Sequence, residues 1–461
     1  MRKTLVFGLV CFAATLGVAL GATSALGATG TRAEPGIPVK PLNIVLISLD
    51  TTRADHTSLL GYPLPTTTNL DRFARDALVF ENARTVVPLT GPSHASVFTG
   101  LYPHRHGAFR NGVRLQENRV TLTEILRAHG YDTRAFISGW TLRGKLCGQN
   151  QGFLSYDDSL ASRYKVVNRE RLAEDTVAAV KASLDRQPPQ SPFFLFVHLF
   201  DPHAPYRRHP GIYQFLELEA RALPPERRDP KVLAYDNELA YMDLHLGALL
   251  ELLRLKGLLD QTAVLIFADH GESLGEHDYW GHGRRVFEQT LRVPVVLRAP
   301  GWFPQGRRIP DPVSTLDLLP TLLSLAGIPL PPGMDVEGRD LAGRLLAGEP
   351  LPAAKFYFET FKGTLKRFTK FFARGVPRRP SYLGCVDGQL KFILKPDSSS
   401  LEVYDLGSDP AERQDLSGRW AENNPAPSLT AWYEQGLNRE SNRTVLTREE
   451  IEQLKSLGYV E

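Results

Sequence analysis

Cysteine is scarce in this chain, with three in 461 residues. Cys11 lies in the first apolar stretch, where the bulky Val10 before it excludes a lipoprotein site. That leaves Cys147 and Cys385, neither with Cys or His neighbours at metal-finger spacing. Two such residues can pair in an oxidising compartment only if the fold makes them adjacent, which sequence leaves open. An excess of one charge is missing too. Lys and Arg number 54 against 51 Asp and Glu, a net +3, and this argues against nucleic acid or an anionic membrane surface as partner. Beyond residue 20 no stretch approaches the ~20 apolar residues of a membrane span. Internal repeats are absent, and Ser398-Ser399-Ser400 is a turn.

What is present is a large apolar fraction, 42% with five Trp and 23 Phe, enough for one large α/β domain and a smaller one. Arg2 and Lys3 precede an apolar run from Leu5 to Leu20, then small residues. That order predicts a signal peptide over 1–28, cleaved between Gly21 and Ala28, and a secreted or periplasmic protein; an uncleaved N-terminal anchor is the alternative. Residues 29–41 form a Pro-containing linker.

Leu42 to Leu49 is a continuous apolar, β-branched run, the pattern of a strand buried on both faces. Leu78 to Asn82, Thr133 to Ser138, Phe193 to Leu199, Thr262 to Ala268 and Val293 to Leu297 are further strands. Helical periodicity separates them at Thr68 to Arg75, Thr121 to His129, Arg171 to Leu184, Lys231 to Leu255 and Thr315 to Leu325. The alternation predicts a mostly parallel central sheet flanked by helices over 42–345. After Gly348-Glu349-Pro350 the pattern shifts to short strands and turns. A small α+β C-terminal domain is expected over 346–461, ending in a helix at Arg448 to Leu457 with Thr447 and Glu450 spaced as a capping box.

Ligands in such folds collect at the carboxyl ends of the strands, and four of those ends carry polar clusters. Asp50 closes the first strand. After the second, Thr90 stands at the N-terminus of a short helix that begins near Pro92, where free backbone N–H groups and the dipole favour an anion, and Pro92 suits the first turn. Asp201 and His203 follow the Phe193–Leu199 strand in a Pro-braced loop, and Asp269-His270 follows Thr262 to Ala268. Gly281-His282-Gly283 adds a further imidazole on a flexible tether. An acid at the end of a buried strand is costly unless paired or metal-bound. Adjacent carboxylate and imidazole suit Zn²⁺ or Mn²⁺ rather than Ca²⁺. His104, His106 and His277 are read as packing groups.

In order, these segments resemble the sulfatase family of the alkaline phosphatase superfamily, from Asn43 to about Asp415. The likeness is carried by Leu49 to His56 (LDTTRADH), Thr90 to Gly100 (TGPSHASVFTG), the loop to Gly107, Pro202 to Tyr206 (PHAPY), Phe267 to Glu272 (FADHGE), Leu291 to Pro294 and Val403 to Glu412. The resemblance implies an alkaline-phosphatase-like sheet with a small C-terminal domain. It fails at the centre. Sulfatases oxidise a Cys or Ser to formylglycine, and Thr90 stands there instead. His94 replaces the signature Arg, Thr51 the second N-terminal Asp, and His270 the Asn of the metal pair. Gly139-Trp140-Thr141-Leu142 lacks the family's Lys and His, and His282 aligns with its later Lys.

What remains is similar to the superfamily's phosphodiesterases and phosphotransferases, in which a metal-bound Thr is the nucleophile. The expectation is therefore a metal-dependent hydrolase of phosphate or phosphonate esters, working through a covalent phosphothreonine. One metal would be held by Asp50, Thr90, Asp269 and His270. A second would be held by Asp201, His203 and His282, or else His203 or His282 would act as general acid. Gly91, through its backbone N–H, and His94 would bind the anionic substrate. Sulfuric ester hydrolysis, phosphoryl transfer and an inactive binding protein are the alternatives, in that order. Oligomeric state is not readable.

Overall fold

The computed structural model describes residues 42–160, 170–190, 192–304, 306–361, 379–420 and 422–437. The expected signal peptide, the linker and the Arg448–Leu457 helix with its capping box lie outside these residues.

The large sheet follows from the apolar runs. Its strands in chain order are β1 (Asn43–Leu49), β2 (Leu78–Arg84), β3 (Asp132–Phe136), β4 (Ser155–Asp157), β5 (Phe193–Leu199) and β6 (Thr262–Phe267). A two-residue pair, β7 (Ser273–Leu274) and β8 (Trp280–Gly281), forms a separate small hairpin, and β9 (Val295–Arg298) and β10 (Arg308–Ser314) complete the large sheet. The order across it is β10-β2-β9-β6-β1-β5-β3-β4. All pairings are parallel except the two made by β9. β1, β5 and β6 are buried along their whole length, which is why they read as unbroken apolar runs rather than alternating ones. Helices pack both faces through a continuous aliphatic and aromatic core.

The expected helices form with ends shifted by a residue or two, as fraying ends do. The Thr315–Leu325 segment begins as a 3₁₀ turn, Thr315–Asp317, capped by Ser314, before the α-helix Leu318–Leu325. A second sheet, β11 (Phe356–Thr360), β12 (Tyr382–Asp387), β13 (Leu390–Lys395) and β14 (Ser400–Asp405), is an antiparallel meander. It is clamped to the large domain by a buried ion network. Lys391 Nζ lies 3.0 Å from Glu288 and 2.8 Å from Glu412, and Glu288 also meets Arg84 at 2.9 Å. Cys147 and Cys385 are buried and unpaired, their thiols pushed up to about 12 by burial. Among the described residues no helix is long and apolar enough to cross a membrane.

Candidate active site

Because β6, β1 and β5 are neighbours and parallel, their carboxyl ends lie side by side; Ser48 pairs with both His198 and Phe267. Asp50 leaves β1 and Asp269 follows β6 by two residues. The helix Thr90–Thr99 points its first turn at the same place, and Ser93 Oγ fastens it by donating to the Asp269 carbonyl at 2.8 Å. The result brings Asp50, Thr90, Asp269 and His270 together, all fully buried. Asp50, Asp269 and His270 each offer a ligand atom within 4.8 Å of the others. Thr90 Oγ1 lies 3.3 Å from His270 Nε2.

The electrostatics of this group are those of a cation site. Burial pushes the Asp50 carboxyl up to about 7. Burial and then the Asp50 charge push Asp269 up to about 6. Asp50 Oδ1 and Asp269 Oδ2 are buried without a hydrogen-bond partner. Two desolvated, mutually repelling carboxylates with orphaned oxygens are expensive unless a cation meets them. His270 Nδ1 lies 2.9 Å from the Gly271 carbonyl and so carries the proton, which turns the Nε2 lone pair toward the two acids. Burial acts to lower the His270 pKa, but the charges of Asp269 and Asp50 outweigh it and raise it. The donor set, two carboxylates and an imidazole, fits a divalent metal, which sulfatase-family enzymes bind.

Beneath the acids lie two histidines whose roles the sequence did not reveal. His198, inside β5, has its Nδ1 occupied by the Gly139 N–H at 3.3 Å, so its Nε2–H donates to Asp50 Oδ2 at 3.1 Å. A ligand-type residue in an otherwise apolar buried strand was the available signal. His94 is the other. It was expected to bind substrate, and the structure corrects this: Nδ1 donates to the Thr90 carbonyl at 2.7 Å and Nε2 accepts from Ser48 at 2.8 Å. Both ring nitrogens are spent under the Thr90 turn, and the ring packs on Phe196 and Phe267. Burial pulls both imidazoles down to about 4, so they are neutral donors.

Gly91 needs a similar correction. Its N–H was expected to face the anion, but it donates to Asn111 Oδ1 at 2.7 Å, and its carbonyl accepts from Gln149 Nε2 at 2.6 Å. Neither amide was singled out in the sequence. Thr51, where the family's second Asp belongs, sits at φ 50°, a strained conformation for a β-branched residue, and its N–H donates to Asp269 at 3.2 Å.

The second metal group does not assemble as expected. Asp201 Oδ1 takes the open N–H of Ala173 at 3.0 Å at the start of the Ala173–Arg186 helix, and its charged neighbours are Glu238 and Glu170. Burial, then the Glu238 charge, pushes Asp201 up to about 7. The carboxylate beside the histidines is instead Glu272, 3.1 Å from His282 Nδ1 and pushed up to about 7 by burial. The His282 ring lies 4.4 Å from that of His270 and 5.1 Å from that of His203. Burial lowers both His203, to about 3, and His282. The small sheet holds this loop, since Thr360 in β11 donates to the Gly283 carbonyl at 2.7 Å. His104 and His106 pack away from this group on Glu359 and Ser96, and His277 stacks on Phe287.

Fold, metal-ligand group and helix-borne hydroxyl together define an alkaline-phosphatase-like hydrolase. Residues 42–328 match the family described as Sulfatase, and 275–431 match the one described as N-sulphoglucosamine sulphohydrolase, C-terminal. The chain belongs to the sulfatase family. An ulvan-active sulfatase of Formosa agariphila is 29% identical over 83% of this chain and 78% of its own. An N-acetylglucosamine-6-O-sulfatase of Bacteroides thetaiotaomicron is 24% identical over 82% and 83%. Among solved structures, a phosphonate monoester hydrolase of Agrobacterium radiobacter superimposes with TM-score 0.63 at 22% identity, covering 86% of this chain and 94% of that one.

Proposed function

We propose that this sulfatase-family hydrolase cleaves an anionic ester with Thr90 Oγ1 as the attacking atom. The observation that carries the reading is the Thr90 hydroxyl itself, presented by a helix start beside Asp50 and 3.3 Å from His270 Nε2. The relatives' names weigh the ester toward a sulfuric one on a sugar, rather than the phosphate or phosphonate ester that the sequence put first. A divalent cation on Asp50, Asp269 and His270 would supply positive charge that acidifies a nearby hydroxyl and polarises the ester.

The chain's own groups account for the rest. Attack by Thr90 Oγ1 forms a bond to sulfur, breaks the bond to the bridging oxygen and releases the alcohol, which leaves with the Thr90 proton. Water then attacks the threonine ester. His282 takes the water proton on Nε2 while Glu272 braces its Nδ1–H, the base-and-orienter arrangement of hydrolases. That proton returns to Thr90 Oγ1 as the inorganic anion leaves. His94 and Gln149 hold the turn that carries Thr90. We include export in this proposal, on the strength of the charged, apolar and small-residue order of residues 1–28.

A phosphate or phosphonate ester is the second reading, favoured by Thr90, which cannot become the aldehyde hydrate that sulfatases use. The metal-loaded protein and Thr90→Ala are assayed on an aryl sulfate and on a bis-aryl phosphate diester. The expected result is sulfate turnover that falls at least ~10³-fold in Thr90→Ala. Turnover of the diester alone establishes the second reading, and sulfate turnover that survives Thr90→Ala refutes Thr90 as nucleophile.

A further inference from the structure

The strand β11 belongs to the small sheet, yet its last two residues are spent on the large domain. Glu359 and Thr360 are both fully buried. The Glu359 N–H donates to the Val86 carbonyl at 3.0 Å, in the run that leads to Thr90. The Glu359 carboxylate accepts from the His104 N–H at 2.7 Å and from His104 Nδ1–H at 3.0 Å, just past the helix that carries Thr90. A buried carboxylate is costly unless it is hydrogen-bonded, so this end of the strand cannot shift without losing that pairing. Thr360 is the next residue and so lies on the opposite face of the strand, where its hydroxyl donates to the Gly283 carbonyl at 2.7 Å.

The loop that receives this bond needs an outside hold. His282 lies between Gly281 at φ 109° and Gly283 at φ 82°, both in the left-handed region that glycine adopts freely. Glu272 braces its ring, and the Tyr279 hydroxyl donates to its carbonyl at 2.5 Å, but both partners belong to the same stretch of chain. They fix His282 within that stretch. Thr360 ties it to the strand that also holds the chain before and after Thr90. Gly283 touches that chain directly: a Cβ there would lie 2.7 Å from Leu89 Cδ2, and Leu89 is the residue before Thr90.

We propose that Thr360 is a positioning residue for the reaction, a side chain of the C-terminal sheet that sets His282 against Thr90 for the attack of water. Glu359 is its anchor. This rests on the anionic-ester reading, with His282 as the base that hydrolyses the threonine ester, and it gives the C-terminal sheet a part in that step. Attack by Thr90 on the substrate uses no group that Thr360 holds, so the two half-reactions separate positioning from stability.

The test compares metal-loaded wild type, Thr360→Val and Thr360→Ser on whichever aryl ester, sulfate or phosphate diester, wild type turns over. Val keeps the shape and the strand preference but leaves the Gly283 carbonyl without its donor, whereas Ser keeps the donor. Release of the aryl alcohol is followed by rapid mixing and the threonine ester by acid quench and intact mass, with unfolding temperatures measured alongside. In Thr360→Val the threonine ester is expected to form at the wild-type rate and to hydrolyse about 10–100-fold more slowly, so that kcat and KM fall together while kcat/KM holds. Thr360→Ser is expected to recover most of the hydrolysis rate. Wild-type hydrolysis in Thr360→Val overturns the proposal, as does a loss shared by both half-reactions or one that Ser fails to recover; each leaves the ester reading intact. Wild type that turns over neither ester, or turnover that survives Thr90→Ala, overturns the ester reading and the proposal with it.

Discussion

Replacing Asp50 with Asn should stabilise the metal-free protein while destroying its response to metal. Asp50 is fully buried, and its carboxyl is raised from 3.8 to about 7, chiefly by desolvation. A carboxyl raised in the folded state binds its proton more tightly there than when unfolded. Its contribution is therefore complete below about pH 4 and is lost as pH rises through about 7. Three pKa units correspond to at most about 4 kcal/mol, and relaxation of the Asp269 pair makes about 2–4 kcal/mol the expected range. Asn cannot ionise, and its oxygen still accepts from His198 Nε2–H. Chelator-treated wild type and Asp50→Asn are unfolded in urea between pH 4 and pH 8, with and without Zn²⁺ or Mn²⁺. The variant should be the more stable at pH 8, with the gap closing toward pH 4. Added metal should stabilise wild type at pH 8 and leave the variant unchanged. An Asp50→Asn protein that is weaker than wild type at pH 8 without metal, or that gains as much from metal, would refute the reasoning.

Two further outcomes follow from buried contacts. His198→Phe removes the N–H that orients Asp50 while keeping a ring in the strand; metal affinity measured by calorimetry should fall about 10–100-fold, with His198→Gln recovering part of it. Lys391→Met strands Glu412 without its cation and leaves Glu288 to Arg84, and chemical unfolding should show a loss of about 3–5 kcal/mol.

The sheet was legible because its central strands are buried on both faces and leave long apolar runs. The ends of those strands were legible because acids seldom stand there without a reason. Those ends offered Asp50, Thr90, Asp269 and His270 together with Asp201 and His203, and the family resemblance set the first four apart as one group. The rest depended on directions that sequence does not encode. Asp201 has the composition of a ligand, but a helix start two elements away takes one of its carboxylate oxygens. His94 sits one turn along from Thr90, and only the packing of Phe196 and Phe267 shows that the ring faces down into the core. Asn111 and Gln149 lie 20 and 58 residues from Gly91, in loops of unremarkable composition. His198 was hidden by the apolar run that revealed its strand.

The charges of the site set an order of events. His94, His198, His203 and His282 are all lowered by burial and so are neutral near pH 7. Arg53 reaches the Glu272 carbonyl, but its guanidinium is taken up by Asp55 and Glu276. Asp50, Asp269 and Glu272 are acids, and His270 alone among these imidazoles is raised. An anionic ester brought to this set without a cation meets more negative charge than positive, in a buried place where Coulomb repulsion is strong. The Lys and Arg residues that the resemblance leads one to expect would have attracted an anion by themselves; among the described residues, the groups just named do not. Anion binding is therefore expected to follow metal binding. Sulfate or phosphate should bind the metal-loaded protein and not the chelated one, and the apparent anion affinity should rise with metal concentration until the Asp50–Asp269–His270 group is filled. Equal anion affinity with and without metal would show that the positive charge comes from elsewhere in the chain.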